Sequence, residues 1–385
     1  MTNATNPDRS GPERAVIRVG ITEWHGVAHE AALYPPTGVL YSDVTPLKRS
    51  RLWPIRSPIK GFLRRIESPD HDLVEALISP INTHNRWIYS LAHFAEAVSF
   101  TIFGLPVPRF TRLLYIKRLL ERENCMKIVF WSKAGLQTLE SYGGASDPKL
   151  LRKAVVVYPA IHNVPDEITR IDRARSRNVR ILFSGDFFRK GGAHVVDAFE
   201  RAQKRYPSIK LKLCCDEKRD FNTTDMRLRA KYLERIRGNP EIDLGRVSRE
   251  EMIGRILPES DIYLLPTYAE AFGYAILEAL AFGIPVISTT YFAIPEMIED
   301  GVNGFLIDTR RFDCDRLFKG YWVNTIPDDF HSYMSEQLYD RLCSLLDSSE
   351  LRQKLGRAGL EFARTRFSTE VRKTNMRAIY EMSLS

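Results

Sequence analysis

Apolar positions along this 385-residue chain fall into two alternating patterns. Short continuous apolar runs of strand length occur at 15–21 (AVIRVGI), 126–132 (MKIVFWS), 154–159 (AVVVYP), 179–185 (VRILFSG), 211–215, 242–247, 261–266 and 283–288. Between them lie stretches with helical spacing. Phe272, Ala275, Ile276, Ala279 and Leu280 recur at i, i+3, i+4, i+7 and i+8, and Val195, Val196 and Phe199 give a second buried stripe. Apolar strands alternating with amphipathic helices predict an α/β fold whose parallel sheets are covered on both faces.

The loops leaving two of these runs carry the candidate chemistry. Residues 267–273 (TYAEAFG) join a strand end to a helix start, where free amides and the positive end of the helix dipole suit an anion such as phosphate. Gly273 has no Cβ and allows close backbone approach. Glu270 precedes the helix and Glu278 lies on it. Eight helical residues span roughly 12 Å, beyond the roughly 5 to 9.5 Å that paired glycosidase carboxylates require. The two glutamates are therefore expected to grip different parts of one extended ligand. The bland alternative is an exposed helix carboxylate and a favourable charge near a helix N-terminus. Upstream, Gly185 opens a turn with Asp186, Arg189, Lys190, Gly191 and Gly192 before a helix, and its cations also suit phosphate. Ser248 to Glu251 has capping-box spacing.

Together Pro266-Thr267, Glu270-Ala271-Phe272-Gly273, Glu278-Ala279, 283–287 (GIPVI), Pro295-Glu296, Asp300-Gly301 and Asn303-Gly304 form a much more specific pattern. It resembles the nucleotide-sugar signature of the retaining glycosyltransferases of family 4, which have the GT-B fold of two facing Rossmann-like domains. The resemblance implies that Glu270 meets hydroxyls of the donor sugar, that Glu278 holds the ribose, and that amides near Ala271, Phe272 and Gly273 face the diphosphate. Lys190 matches the family's diphosphate lysine. Asp186 stands where the family has an arginine, and Arg189 is the substitute cation. The family binds its nucleobase beside the 242–247 strand, which makes Arg246 and Val247 candidates there. His93 is the candidate for an acceptor-side catalytic histidine, with a packed core histidine as its alternative. The paired glycines that family members carry after their first strand are missing, and only Gly26 follows closely. The implied donor is a nucleotide-diphospho-sugar, used without a metal or other cofactor.

Composition narrows the setting. The hydrophobic share of 44% and charged share of 27% describe an ordinary globular chain, long enough for two domains. The expected division is a disordered lead-in over 1–15, an acceptor domain over 16–165, a donor domain over 166–366, and a helix over 367–385 crossing back to the first domain. Five cysteines at irregular spacing predict reduced thiols in a cytoplasmic protein. Residues 87–107 include His93, Glu96 and a Gly-Leu-Pro break, and are expected to be a buried strand and helix.

The net charge is +8, with 21 Lys and Arg against 14 Asp and Glu in residues 1–160, and 35 against 34 in the rest. Much of the excess lies at Lys48, Arg49, Arg51, Arg56, Lys60, Arg64 and Arg65, interleaved with Trp53, Ile55, Ile59, Phe62 and Leu63. Such mixing suits an anionic membrane surface on its cytoplasmic face, and a solvated loop is the alternative. Nucleic acid is the least favoured partner. The expected function is sugar transfer with retention to a glycan, lipid-linked or small-molecule acceptor. A noncatalytic sugar-nucleotide binder, an epimerase and a phosphorylase share the same donor domain.

Overall fold

A computed structural model of the chain describes residues 16–24, 26–44, 65–98, 101–102, 105–106, 109–143, 148–161, 178–312 and 328–385. The expected lead-in, His25 and the basic segment from Lys48 to Arg64 lie outside the described residues. The chain divides into two compact units. One comprises residues through Trp131, then Leu136–Val157 and Arg372–Ser385; the other comprises Ser132–Gly135 and Tyr158–Val371. The division thus falls eight residues before the expected 165/166 boundary, and the return to the first unit comes at Arg372 rather than 367. Tyr158 and Ile161 account for the earlier boundary, because the Tyr158 hydroxyl bonds Glu296 and the Ile161 amide bonds the Phe367 carbonyl.

The first unit is built on a parallel sheet of β1 (Ile17–Ile21), β2 (Val39–Asp43), β3 (Leu73–Leu77), β4 (Trp87–Leu91), β5 (Cys125–Phe130) and β6 (Ala154–Val156). Its order is β6-β5-β4-β3-β1-β2. β3 and β4 are buried at every position, as central strands covered on both faces must be. Helix α1 (Arg109–Glu121) buries Ile116, Leu119 and Leu120 while Leu114 is exposed. Helix α2 (Lys133–Gly143) follows β5.

Glu75, at the centre of β3, is a buried carboxylate with both oxygens engaged. Ser90 Oγ donates to Oε1 at 2.5 Å, and the Tyr380 hydroxyl donates to Oε2 at 2.5 Å, with the Tyr41 hydroxyl 3.0 Å from that of Tyr380. Burial pushes the Tyr380 phenol well above its usual range, so it remains a donor. A buried carboxylate without its hydrogen bonds is costly. Tyr380→Phe is therefore expected to destabilise this unit by about 1–3 kcal/mol. A urea midpoint unchanged from the wild type would refute that assignment.

The second unit is built on β7 (Arg180–Ser184), β8 (Lys210–Cys214), β9 (Ile242–Leu244), β10 (Ile262–Leu264), β11 (Val286–Thr289) and β12 (Gly304–Ile307). They are parallel in the order β9-β8-β7-β10-β11-β12. Strand order reverses between β7 and β10, and the crevice at their carboxyl ends is where such sheets take ligands. Helices α3 (Gly192–Gln203), α4 (Met226–Gly238), α5 (Tyr274–Ala281), α6 (Asp328–Asp347) and α7 (Ser349–Arg366) belong to this unit. Among the described residues no helix is long and apolar enough to cross a membrane. The final helix α8 (Thr369–Leu384) places Tyr380 on Glu75.

Two details differ from the sequence pattern. Gly273 adopts φ +111°, so α5 starts at Tyr274 and Phe272 packs outside the helix, its ring 6.2 Å from that of Phe367. Strand β9 ends at Leu244, three residues early, and the chain turns outward to the exposed Arg246.

Candidate functional site

The turn after β7 is anchored from below by aromatic packing. Phe187 stacks on Phe221 at 4.3 Å and meets Phe188 edge-on at 5.0 Å, all three rings being buried. Asp186 Oδ1 accepts the Arg189 amide at 3.1 Å, and Oδ2 accepts Asn222 Nδ2 at 3.1 Å. Asp186 therefore shapes the turn from within, and Arg189 is half-buried beside it. Gly185 (φ +107°) and Gly191 (φ +82°) close the two ends, and a Cβ at Gly191 would lie 2.4 Å from the Pro266 carbonyl oxygen. Only glycine lets these two loops touch.

That contact brings Lys190 onto the loop after β10. Lys190 Nζ lies 2.5 Å from Glu270 Oε2 and 2.8 Å from the Ala269 carbonyl oxygen. Glu270 Oε1 accepts the amide of Ala271 at 3.0 Å. The two side chains are only 13% and 15% exposed. Burial lowers the Lys190 pKa, with Glu270 opposing the shift. The loop is held rigid beneath them: Tyr268 OH donates to the Phe188 carbonyl at 2.6 Å and Thr289 Oγ1 to the Thr267 carbonyl at 2.5 Å.

Glu278 sits on the inward side of α5, nearly buried, and takes an ion pair from Arg249 in the helical turn capped by Ser248. Burial raises its pKa, and Arg249 acts against that shift. Tyr263 on β10 is fully buried, its hydroxyl 2.8 Å from Ser184 Oγ. Burial pushes its phenol well upward against the Ser184 hydrogen bond, and the charges of Glu278 and Glu270 add to the rise.

The structure thus joins Lys190 to Glu270 and places Gly185, Arg189, Ala271, Phe272 and Gly273 around them. Arg246 and Val247 follow β9, the first exposed and the second half-buried. His93 lies in the other unit, where its Nδ1 accepts the Ala95 amide at 2.9 Å at the start of the short helix Phe94–Val98. Arg249 was not singled out as a site residue; its only sequence signal was its place inside a capping box. Among the described residues no group of three or more His, Cys, Asp and Glu is arranged to hold a metal ion.

Below the Lys190 turn, His194 is buried in the first turn of α3, with Nδ1 3.3 Å from Ser335 Oγ and no hydrogen-bond partner for Nε2. Its ring lies 5.0 Å from His331. Burial, then His331, lowers its pKa to about 3. Unfolding exposes a histidine that protonates near pH 6.5. Its contribution is therefore complete above about pH 6.5 and is lost as pH falls toward 3. At pH 5 the deficit is about 2 kcal/mol. His194→Gln is expected to flatten the fall in stability between pH 7 and 5, and an identical pH profile would contradict this.

Residues 178–317, a little over a third of the chain, match the profile of the family described as glycosyl transferases group 1. A stretch of 63 residues is 44% identical to the amylovoran biosynthesis glycosyltransferase AmsK of Erwinia amylovora, covering 15% of this chain and 16% of that protein. Among solved structures, a glycosyltransferase of Rickettsia africae superimposes with a TM-score of 0.63 at 15% identity, over 96% of this chain and 99% of the other. Anabaena HepE, solved in complex with UDP-glucose, does so with a TM-score of 0.60 at 15% identity, over 94% and 98%. The fold is GT-B, and residues 178–317 of the second unit resemble the group 1 glycosyltransferase domain.

Proposed function

We propose that this protein transfers a sugar from a nucleoside-diphospho-sugar to an acceptor with retention of anomeric configuration. The observation that carries the reading is the half-enclosed Lys190–Glu270 pair at the strand-order reversal, with Glu278 held at the far end of the same loop and helix. The donor enters by exchanging partners. Its diphosphate takes Lys190 and Arg189, its ribose takes Glu278 from Arg249, and Glu270 turns to the sugar hydroxyls. Charge develops on the departing diphosphate, and preorganised cations in a poorly hydrated site stabilise it most. Lys190 and Arg189 supply that charge without a metal ion. Arg246 and Val247 border the base, and His93 is placed on the acceptor side. HepE was solved with UDP-glucose, which makes a UDP-sugar the first donor to try. The acceptor is a glycan or lipid-linked molecule, met on the cytoplasmic face of a membrane through the Lys48 to Arg65 segment.

A thermal-shift and turnover panel over UDP-, GDP- and ADP-sugars tests this, with and without EDTA. One nucleotide should raise Tm, and EDTA should leave turnover unchanged. Absence of any shift at millimolar donor would remove the enzyme reading, and donor binding without turnover over any acceptor would favour a noncatalytic binder.

A further inference from the structure

Glu296 ends the 3-10 turn Ile294–Glu296 that follows β11, and its carboxylate gathers three donors from distant parts of the chain. Oε1 accepts the Ala134 amide at 2.8 Å; Oε2 accepts the Lys133 amide at 2.9 Å and the Tyr158 hydroxyl at 2.7 Å. The first amides of a helix have no intrahelical acceptor, and at α2 they are taken by Glu296 and by Ser132 Oγ, which accepts the Gly135 amide at 2.9 Å. The Tyr158 hydroxyl also accepts Arg366 Nη2 at 3.2 Å.

Two packing routes lead from this carboxylate to the Phe272-Gly273 loop. Met297, next in sequence, is buried against Gly273: a Cβ on that glycine would lie 2.6 Å from Met297 Cε. The Tyr158 ring meets Phe367 at 5.1 Å, and Phe367 meets Phe272 at 6.2 Å. The residues Glu296 binds also sit where the chain changes units. Ser132–Gly135 belong to the second unit while α2 continues in the first from Leu136, and Tyr158 is the first residue after Val157.

We infer that Glu296 is a positioning residue that couples occupancy of the 267–273 loop to the order of the first turn of α2. The inference rests on the donor reading above. A ligand at the loop amides stiffens Phe272 and Gly273, Met297 and Phe367 pass the constraint on, and Glu296 tightens on Lys133 and Ala134.

The test is hydrogen exchange of the full-length protein at residues 132–135, with whichever of UDP-, GDP- or ADP-glucose raises the wild-type Tm. Donor should slow exchange there. Glu296→Gln, whose amide nitrogen cannot accept, should bind donor within about twofold of wild type, lose the slowing, and drop kcat by about 10- to 100-fold, as for a misplaced but bound substrate. Tyr158→Phe keeps both amide bonds and should leave exchange without donor at the wild-type rate while weakening the donor response. The inference is overturned if donor that raises the wild-type Tm leaves exchange at 132–135 unchanged, or if Glu296→Gln keeps the slowing. If no nucleotide sugar raises the wild-type Tm, the donor reading fails and takes this inference with it.

Discussion

Lys190→Ala is expected to lower kcat by roughly 100- to 1,000-fold, the range found when one preorganised donor to a developing negative charge is removed. The ammonium is largely buried, and burial already disfavours its charged form. An anionic diphosphate therefore gains more from it than it would from an exposed lysine. Removing it also deprives Glu270 of its cation, while the Ala271 amide still donates to Oε1. The double substitution Lys190→Ala with Glu270→Gln should accordingly regain some stability over Lys190→Ala alone without regaining turnover. Steady-state kinetics decide the matter: a kcat within tenfold of wild type would mean that this lysine does not face the leaving group.

Glu278→Gln should separate binding from stability. A charged hydrogen bond to ribose contributes about 1.5–3 kcal/mol, so donor KM is expected to rise by roughly 10- to 100-fold with kcat little changed. Stability moves the other way. The folded-state pKa of Glu278 is raised, so the folded protein binds its proton more readily than the unfolded chain does. Stability from this residue is therefore present below the unfolded value near 4.5 and lost as pH rises through the folded one. At pH 7 glutamine removes that burden, while the ion pair it gives up has a half-exposed arginine at one end. Unliganded Glu278→Gln should melt no lower than wild type, and a clear loss of Tm would mean that the Arg249 pair outweighs the burial of the carboxylate.

Much of the arrangement around Lys190 and Glu270 was legible because it is local in sequence. Glu270 and Glu278 share one loop and helix, and Lys190 sits between glycines whose dihedral angles a turn requires. Partners were less visible. Nothing in the spacing of Arg249 pairs it with Glu278, 29 residues on, because the pair forms only when the turn after β9 folds against α5. Asp186, a misfit in the family pattern, became intelligible only once Asn222 and the Arg189 amide were seen on its carboxylate. Glu296 belonged to the recognised signature, but its donors are 138 and more residues away. His93 has a local role that its spacing does not reveal. Its Nδ1 accepts a backbone amide at a helix start. Helix α5 was foreseen with Phe272 on its buried stripe, and the left-handed Gly273 moved that ring to a different neighbour.

The bond from Tyr380 to Glu75 spans 305 residues. At a synthesis rate of about 5–20 residues per second, the ribosome needs roughly 15 to 60 seconds to make the second partner after the first. Through that interval β3 carries a central carboxylate still waiting for one of its hydroxyls, while every strand of the second sheet is completed. The domain begun first is then the one finished last, and its exposure to chaperones and proteases is set by the time taken to translate its neighbour.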